Sequence, residues 1–417
     1  MKGEFFIALR YLLGRAREGG RYLRGAAAGI ALSLIPIMVT LIVADGMIRG
    51  ITDRYLELGT GHLRVYNYLD PEYIPLEGLE DLPGIRGFWM ERQGLGVVMG
   101  AKGKAGTTVR AVEPSFWTDP GSARFLKTIA GSAALESGSD VLLGEELART
   151  VGAEVGKTIY IMSIRVSESG RNIPRTMPYT VRGIVSSGYR ELDALWCIVS
   201  YEGGGRILAP ELSNTYLTVK IDDPYGKAGI ADRQLSRLLG TGYGVYTWKE
   251  IQRSQYSSYE STRQLLLFIM ALIVMVAAVN VSSATSMLVL ERQRDIAVLK
   301  AAGASPGATS RIFLWASFLT GLTGAAAGSA LGLLIGRFIN SLIHGLEGLL
   351  SFFSGLFHGS QVKILDPGYY LEQIPIIIDW KMVFIIGFFT ILCSILASWF
   401  PARRAGKIRP IELLRKF

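Results

Sequence analysis

The chain has 417 residues, 49% hydrophobic and 19% charged, with a net charge of +9. Its two cysteines, Cys197 and Cys393, lie too far apart in the layout below to pair, which excludes a disulfide framework; a chain this long buries a core without one. The basic balance is concentrated beside long uncharged runs, which removes nucleic acid as its partner.

Residues 1–24 carry Lys2, Arg10, Arg15, Arg17, Arg21 and Arg24 against Glu4 and Glu18, a net of +4. Phe5, Leu9, Leu12 and Ala16 form one stripe and Arg10, Gly14, Arg17 and Arg21 another, the pattern of an interfacial helix. Residues 25–47 read as a first transmembrane span, because 25–44 holds no charge. Twenty helical residues reach about 30 Å, the thickness of a bilayer core. The run exceeds a signal-peptide h-region and no A-x-A site follows, so it reads as a retained anchor.

Residues 48–264 read as an inserted α+β extracytoplasmic domain, with polar helical extensions at 46–58 and 249–264 forming a stalk. Strands are expected at Leu63–Tyr68, Thr107–Glu113, Thr158–Arg165, Pro178–Val185, Leu195–Ser200, Tyr216–Ile221 and Tyr243–Trp248. In Tyr216–Ile221 the apolar Leu217, Val219 and Ile221 alternate with Thr218 and Lys220, as in a half-buried strand. Helices fit Gly121–Gly131, Gly144–Val151 and Tyr225–Leu239. The stretch Gly152–Thr158 looks like a phosphate-binding loop, but only three residues separate its glycines. A helix precedes it and a strand follows, whereas a phosphate site needs a helix N-terminus. His62, His344 and His358 lack zinc spacing, and His62 is expected to cap or pack near the stalk. No catalytic residue, metal site or cofactor site is expected in this chain.

Residues 265–290, 312–336 and 382–400 are also uncharged and read as spans two to four. One charge at mid-membrane costs about 2.5–3.5 kcal/mol, so four such runs point to a membrane α-helical fold. The connecting loop 291–311 nets +2 and the tail 401–417 nets +5. With the N-terminal segment these total +11 against +9 for the chain, leaving −2 elsewhere. Both termini and 291–311 therefore read as cytoplasmic, and 45–264 and the loop 337–381 as external. Asn280, in span two, is expected to hydrogen-bond another helix, and Gly324, Gly328, Gly332 and Gly336 mark a face for close helix packing. In 291–305, Ile296, Val298 and Leu299 amid charges suit a short helix that Gly303 ends. Ser305 would cap the next helix, with Pro306 at its first position. This segment is either a plain connection or a docking helix for a cytoplasmic partner.

Several segments in order resemble the permease subunits of ABC transporters with an FtsX-like domain, most closely the lipoprotein-releasing (Lol) permeases. They are Ala8–Leu12; Asp45-Gly46 through Gly61-His62, where the family usually has Asn at position 45; Leu143–Ala148 with Val155–Lys157; and Gly183-Ile184, Ser187-Gly188 and Glu191–Asp193. Glu291–Ser305 matches the family's coupling region, and Tyr369–Pro375, Pro401–Ala405 and Arg409–Arg415 complete the likeness.

The resemblance implies a bacterial inner-membrane subunit without chemistry of its own. Two permeases, identical or paralogous, would bind two copies of a separate ATPase that holds ATP and Mg. The docking residues implied are Glu291, Arg292, Arg294, Ile296, Leu299, Lys300, Ala301 and Gly303. The substrate implied is a lipoprotein drawn from membrane lipids, its acyl chains in a cleft lined by Met38, Ile42, Met47, Phe268, Leu272 and Met275. A periplasmic carrier would receive it. A projecting loop within 165–178, with Arg165, Arg171, Pro174, Arg175 and Pro178, is either a hook for that carrier or a long hairpin. The alternatives are a MacB-like exporter, a class that often fuses its ATPase, and an FtsX-like signalling permease controlling a cell-wall hydrolase, whose outer domain is usually smaller.

Overall fold

A computed structural model describes residues 2–13, 20–166, 171–356, 371 and 373–408. It forms two compact units. Met1–Gly46, Tyr259–Phe352 and Pro375–Phe417 make the first; Met47–Ser258 and Phe353–Ile374 make the second.

Among the described residues, four helices are long and apolar enough to cross a membrane: Gly20–Thr60, Arg253–Glu291, Pro306–Arg337 and Trp380–Lys407. They are spans 1 to 4 below. Ser305 Oγ accepts from Ala308 N–H at the start of span 3, with Pro306 in the first turn. The Asp379 carboxylate accepts from the Lys381 and Met382 N–H groups at the start of span 4. Both caps satisfy donors that the first turn leaves free.

In the first unit, span 3 meets span 1 along its glycines. A Cβ at Gly324, Gly328 or Gly332 would lie 2.6–2.8 Å from atoms of Ala27, Ile30, Ala31, Leu34 or Met38, and one at Gly336 would strike Ile42. Only glycine allows this approach. Spans 2, 3 and 4 share a buried hydroxyl node, where Thr285 Oγ1 lies 3.0 Å from Ser317 Oγ and 3.2 Å from Ser398 Oγ. Asn280, expected to bridge helices, is instead exposed; the interhelical polar contact lies five residues on, where Thr285 faces inward.

The N-terminal helix Lys2–Leu13 turns Ala8, Tyr11 and Leu12 into a core with Leu288, Ile296, Phe313, Ala402 and Ala405. Of the Phe5, Leu9, Leu12 stripe, Leu12 is buried in this core and Leu9 packs partly against it. Phe5 instead meets the Trp315 ring edge-on at 5.4 Å, and the small Ala8 sits at the contact. The Arg311 guanidinium donates to Glu4 Oε1 at 2.7 Å. The readings placed on Ala16 and on the tail beyond Ile408 lie outside the described residues. The stretch 337–381, expected as a loop, contains the helix Ile339–Leu356, whose apolar residues recur at helical spacing.

The second unit is built on one ten-stranded sheet. Its strands are β1 (Leu63–Asn67), β2 (Ile85–Met99), β3 (Lys104–Val112), β4 (Lys127–Gly131), β5 (Asp140–Gly144), β6 (Thr158–Val166), β7 (Asn172–Ser186), β8 (Trp196–Ser200), β9 (Asn214–Ile221) and β10 (Tyr243–Thr247). The strands run β10-β1-β9-β2-β3-β8-β5-β7-β4, and β6 joins β7 back to β2. Six strands therefore close a ring, and its apolar interior holds Val98, Val109, Val141, Leu143, Ile161, Val181 and Val199. β3–β8 and β5–β7 pair in parallel and the other pairs are antiparallel. A second core lies where β1, β9 and the helix Ala228–Leu239 meet, around Leu56, Val65, Val219, Leu235 and Trp248.

Sequence reasoning missed β2, β4 and β5. β2 carries Gly87, Gly94 and Gly96 and buried Glu91 and Arg92, which break the alternation expected of a strand. The helix expected over Gly121–Gly131 ends at Phe125, and its second half is β4. The Gly152–Thr158 stretch follows the helix Glu145–Val151 and leads into β6.

Candidate functional site

Four places bear on function, two in each unit. The first follows span 2, where Gln293–Ala301 forms a short linker helix. Gly303 beyond it adopts φ +95°, the left-handed region that ends helices. Ile296 is buried and Leu299 half-buried against the core around Phe313 and Ala405. Lys300 Nζ donates to the carbonyls of Gly406 at 2.5 Å and Ile408 at 2.7 Å, satisfying acceptors at the end of span 4. Arg292 pairs with Asp295 at 3.0 Å and lies over the Tyr11 ring. Four of the eight docking candidates, Arg292, Ile296, Leu299 and Lys300, therefore face their own chain. Glu291, Arg294, Ala301 and Gly303 are exposed, and so are Val298 and Ala302. Arg294, Val298, Ala301 and Ala302 fall at i, i+4, i+7 and i+8, a single open face. Val298 was legible as part of it from that spacing alone.

The five cleft candidates in the first unit are not gathered. Met38 and Ile42 are buried against the glycines of span 3. Phe268, Leu272 and Met275 stand exposed on span 2. Met47, half-buried, belongs to the second unit.

In the second unit, β6 and β7 pair from Thr158↔Thr180 out to Val166↔Asn172. The segment 165–178, read as a projecting loop or a long hairpin, is mostly paired strand, and the tip 167–170 lies outside the described residues. Pro174 faces Ile164 and Pro178 faces Tyr160 across the pair. β7 has no other partner before Thr180, so neither proline deprives a ladder of its donor. Arg165 and Arg171 are exposed and Arg175 is half-buried beside Ser163.

The fourth place was not anticipated. The helix of span 1 runs on from Arg54 into a π-helical turn, Tyr55–Thr60, at whose end the backbone carbonyls lack helical partners. Three buried cations from three strands meet them. Lys220 Nζ, on β9, donates to Leu56 O at 2.7 Å and Glu57 O at 2.8 Å. Arg110, on β3, donates through Nη1 to Leu58 O. Arg64, on β1, donates to Thr60 O at 3.0 Å and Gly59 O at 3.1 Å. Positive charge at a helix C-terminus is favourable, more so when buried.

Arg110 and Lys220 have carboxylate partners, and Arg64 lies over a ring. Glu91 takes Arg110 in a bidentate pair at 2.7 and 3.0 Å. Glu57 Oε2 accepts from Lys220 and from Arg86, each at 2.8 Å. Arg64 lies 3.9 Å from the centre of the Tyr216 ring. His62, expected near the stalk, is fully buried here. Its Nδ1 accepts from Ile221 N–H at 2.9 Å while Nε2 meets Glu57 Oε1 at 3.2 Å. Gly61 turns the chain at φ +69°, where a Cβ would collide with Thr218. Upstream, Arg54 Nε donates to Ser187 O at 2.7 Å and Tyr225 O–H to Asp53. The helix end from Asp53 to Thr60 is thereby tied by hydrogen bonds to three strands and to the loops at Ser187 and Tyr225.

Among the described residues no group of His, Cys, Asp and Glu could hold a metal ion. The model for the FtsX-like permease C-terminal region matches residues 267–410, and that for the MacB-like periplasmic core domain matches 25–233. The chain is 27% identical to the lipoprotein-releasing system transmembrane protein LolC of Neisseria meningitidis serogroup B, over 99% of each chain. It is 24% identical to the corresponding LolE of Haemophilus influenzae, again over 99% of each. The macrolide export ATP-binding/permease protein MacB 1 of Escherichia coli O1:K1 is 27% identical over 51% of this chain and 29% of that one. The chain is a membrane protein with four apolar helices and an α+β domain, and it belongs to the FtsX-like permeases that carry a MacB-like periplasmic core domain.

Proposed function

We propose that this chain is a permease subunit of an ATP-driven complex of the bacterial inner membrane, which extracts lipoproteins and passes them to a periplasmic carrier. The observation that supports this is its likeness, along 99% of both lengths, to proteins named for lipoprotein release. Each buried CH₂ of an acyl chain holds its owner in the bilayer by about 0.8 kcal/mol, so extraction needs an energy source and a covered exit.

In this reading a separate ATPase, in two copies, docks on the face of Arg294, Val298, Ala301 and Ala302, with Glu291 and Gly303 beside it. A second permease subunit completes the complex. Acyl chains meet Phe268, Leu272 and Met275, and the β6–β7 hairpin with Arg165, Arg171 and Arg175 meets the carrier. The positive charge of 1–24, 291–311 and 401–417 supports cytoplasmic termini. The clamp around residues 56–60 is the route by which motion of span 1 enters the sheet.

Depleting the chain is expected to leave lipoproteins in the inner membrane, and purifying it to bring down an ATPase. Unchanged lipoprotein release would overturn the proposal. A macrolide-type exporter is the second reading, favoured by the match to the MacB-like core domain. Normal lipoprotein release together with lost export would select it.

A further inference from the structure

The helix Ile339–Leu356 begins one residue after span 3, and only Phe338, at φ −100° and ψ 14°, separates the two. At 100° per residue, Ile339, Leu342, Ile343, Leu346, Leu349 and Leu350 fall within one arc, Asn340, His344, Glu347 and Ser351 fall within a second arc beside it, and Ser341 and Phe352 lie outside both. Leu342, Leu346 and Leu349 are each more than half exposed. A fifth span would carry Asn340, His344, Glu347 and Ser351 to membrane depth, a cost that a surface position avoids. The apolar arc rules out a helix surrounded by water.

We propose that this helix lies along the membrane surface, with its apolar arc sunk into the acyl boundary of the leaflet in which span 3 ends. Continuity fixes the occupant. A helix that starts within one residue of a membrane span has lipid as its immediate surroundings, and its 18 residues extend about 27 Å from that point. Its charge selects the kind of lipid contact. Glu347 and His344 are its titratable side chains and it holds no Lys or Arg, so anionic headgroups do not attract it. Apolar insertion, 5–10 Å deep for helices of this kind, supplies the binding. The inference is independent of the cargo and holds for any substrate of this permease.

The test uses the full chain in phosphatidylcholine nanodiscs. Cys393→Ser removes the half-exposed thiol, and the buried Cys197 stays. Single cysteines are placed by Leu346→Cys, Leu349→Cys, His344→Cys and Ser351→Cys, and each is treated with a membrane-impermeant maleimide. The two apolar-arc cysteines should react several-fold more slowly than the two polar-arc ones. A small fluorophore attached in detergent at 346 or 349 should then be quenched by lipids brominated near the headgroup end of the acyl chain, and one at 344 or 351 should not. Equal reactivity on both arcs overturns the proposal. Slow reaction at 346 and 349 without quenching also overturns it, because protein and not lipid then covers the arc. A disulfide-linked dimer through Leu346→Cys would identify that cover as a second copy.

Discussion

Lys220 is fully buried, yet its Nζ holds Glu57 at two points, donating to the backbone carbonyl and to Oε2, each at 2.8 Å. One side chain thus fastens both the backbone of the helix end and the carboxylate beside it. Removing one member of a buried ion pair costs about 3–5 kcal/mol, because the other charge stays buried. Arg86 still reaches Glu57, which places Lys220→Met toward the lower end of that range. The exposed pair Lys157–Glu154 is the control, because solvent screens it and it adds little to stability. Denaturant unfolding of the purified chain, followed by tryptophan fluorescence, is expected to show a large drop in midpoint for Lys220→Met and almost none for Lys157→Met.

The same cluster sets an acid limit. His62 Nδ1 accepts a backbone N–H, so the ring is neutral with its hydrogen on Nε2. Burial pushes its pKa below the ordinary 6.5, against the opposing bond to Glu57. An unfolded His62 therefore takes up a proton that the folded one resists, and stability falls as pH drops below about 6.5. Burial of the Glu57 carboxyl raises its pKa, but the His62 bond and the Lys220 charge outweigh this and hold it well below the usual carboxylate range. Its contribution is present above its ordinary 4.5 and is lost as pH falls further. Burial brings Lys220 down to about 8, against the pull of Glu57, so it remains charged at neutral pH. Hydrogen exchange of residues 55–62, corrected for intrinsic rate, is expected to quicken between pH 7 and pH 5.5. His62→Gln, which keeps one donor and one acceptor, should remove that step.

Strand β9 shows why the clamp was not legible. Its alternation of Leu217, Val219 and Ile221 with Thr218 and Lys220 reads as one wet face and one dry face. Both faces are buried, with Thr218 at 1% and Lys220 at 0% exposure, because the helix end covers the polar side. A charge buried against backbone carbonyls has the same one-letter pattern as a charge in water. Spans, caps and glycine spacing were legible because each depends on near neighbours in sequence. Arg64, Arg110 and Lys220 come from three distant strands, and only the sheet order brings them together. The linker helix falls between these cases: its ends were readable from Gly303 and Ser305, but its inward face depends on span 4, which supplies the carbonyls that Lys300 meets.

The glycine face of span 3 gives a direct contrast. A Cβ at Gly328 would stand 2.8 Å from Ala31 O and from Leu34 Cβ, whereas one at Gly345 meets nothing within 4 Å. Overpacking a tight contact costs about 1–3 kcal/mol, and Gly328→Leu should reach the top of that range because span 1 backbone is among the atoms displaced. Gly345→Ala should be neutral or gain about 0.4–1 kcal/mol from the less flexible unfolded chain. Size-exclusion profiles after a heating series, in one detergent, separate the two.

The linker helix carries the last prediction. Leu299 packs inward with Ile296, so a charge there damages the fold of the permease itself. Val298 and Ala301 lie on the open face, and Val298 is 59% exposed, so a charge there leaves the chain folded. Val298→Glu with Ala301→Glu is therefore expected to keep a normal size-exclusion profile while losing most of the co-purifying ATPase. Leu299→Glu should shift the profile and the ATPase yield together. If the double variant retains its ATPase in full, this face is not the docking surface, since two carboxylates in a desolvated apolar contact would each carry an uncompensated burial cost.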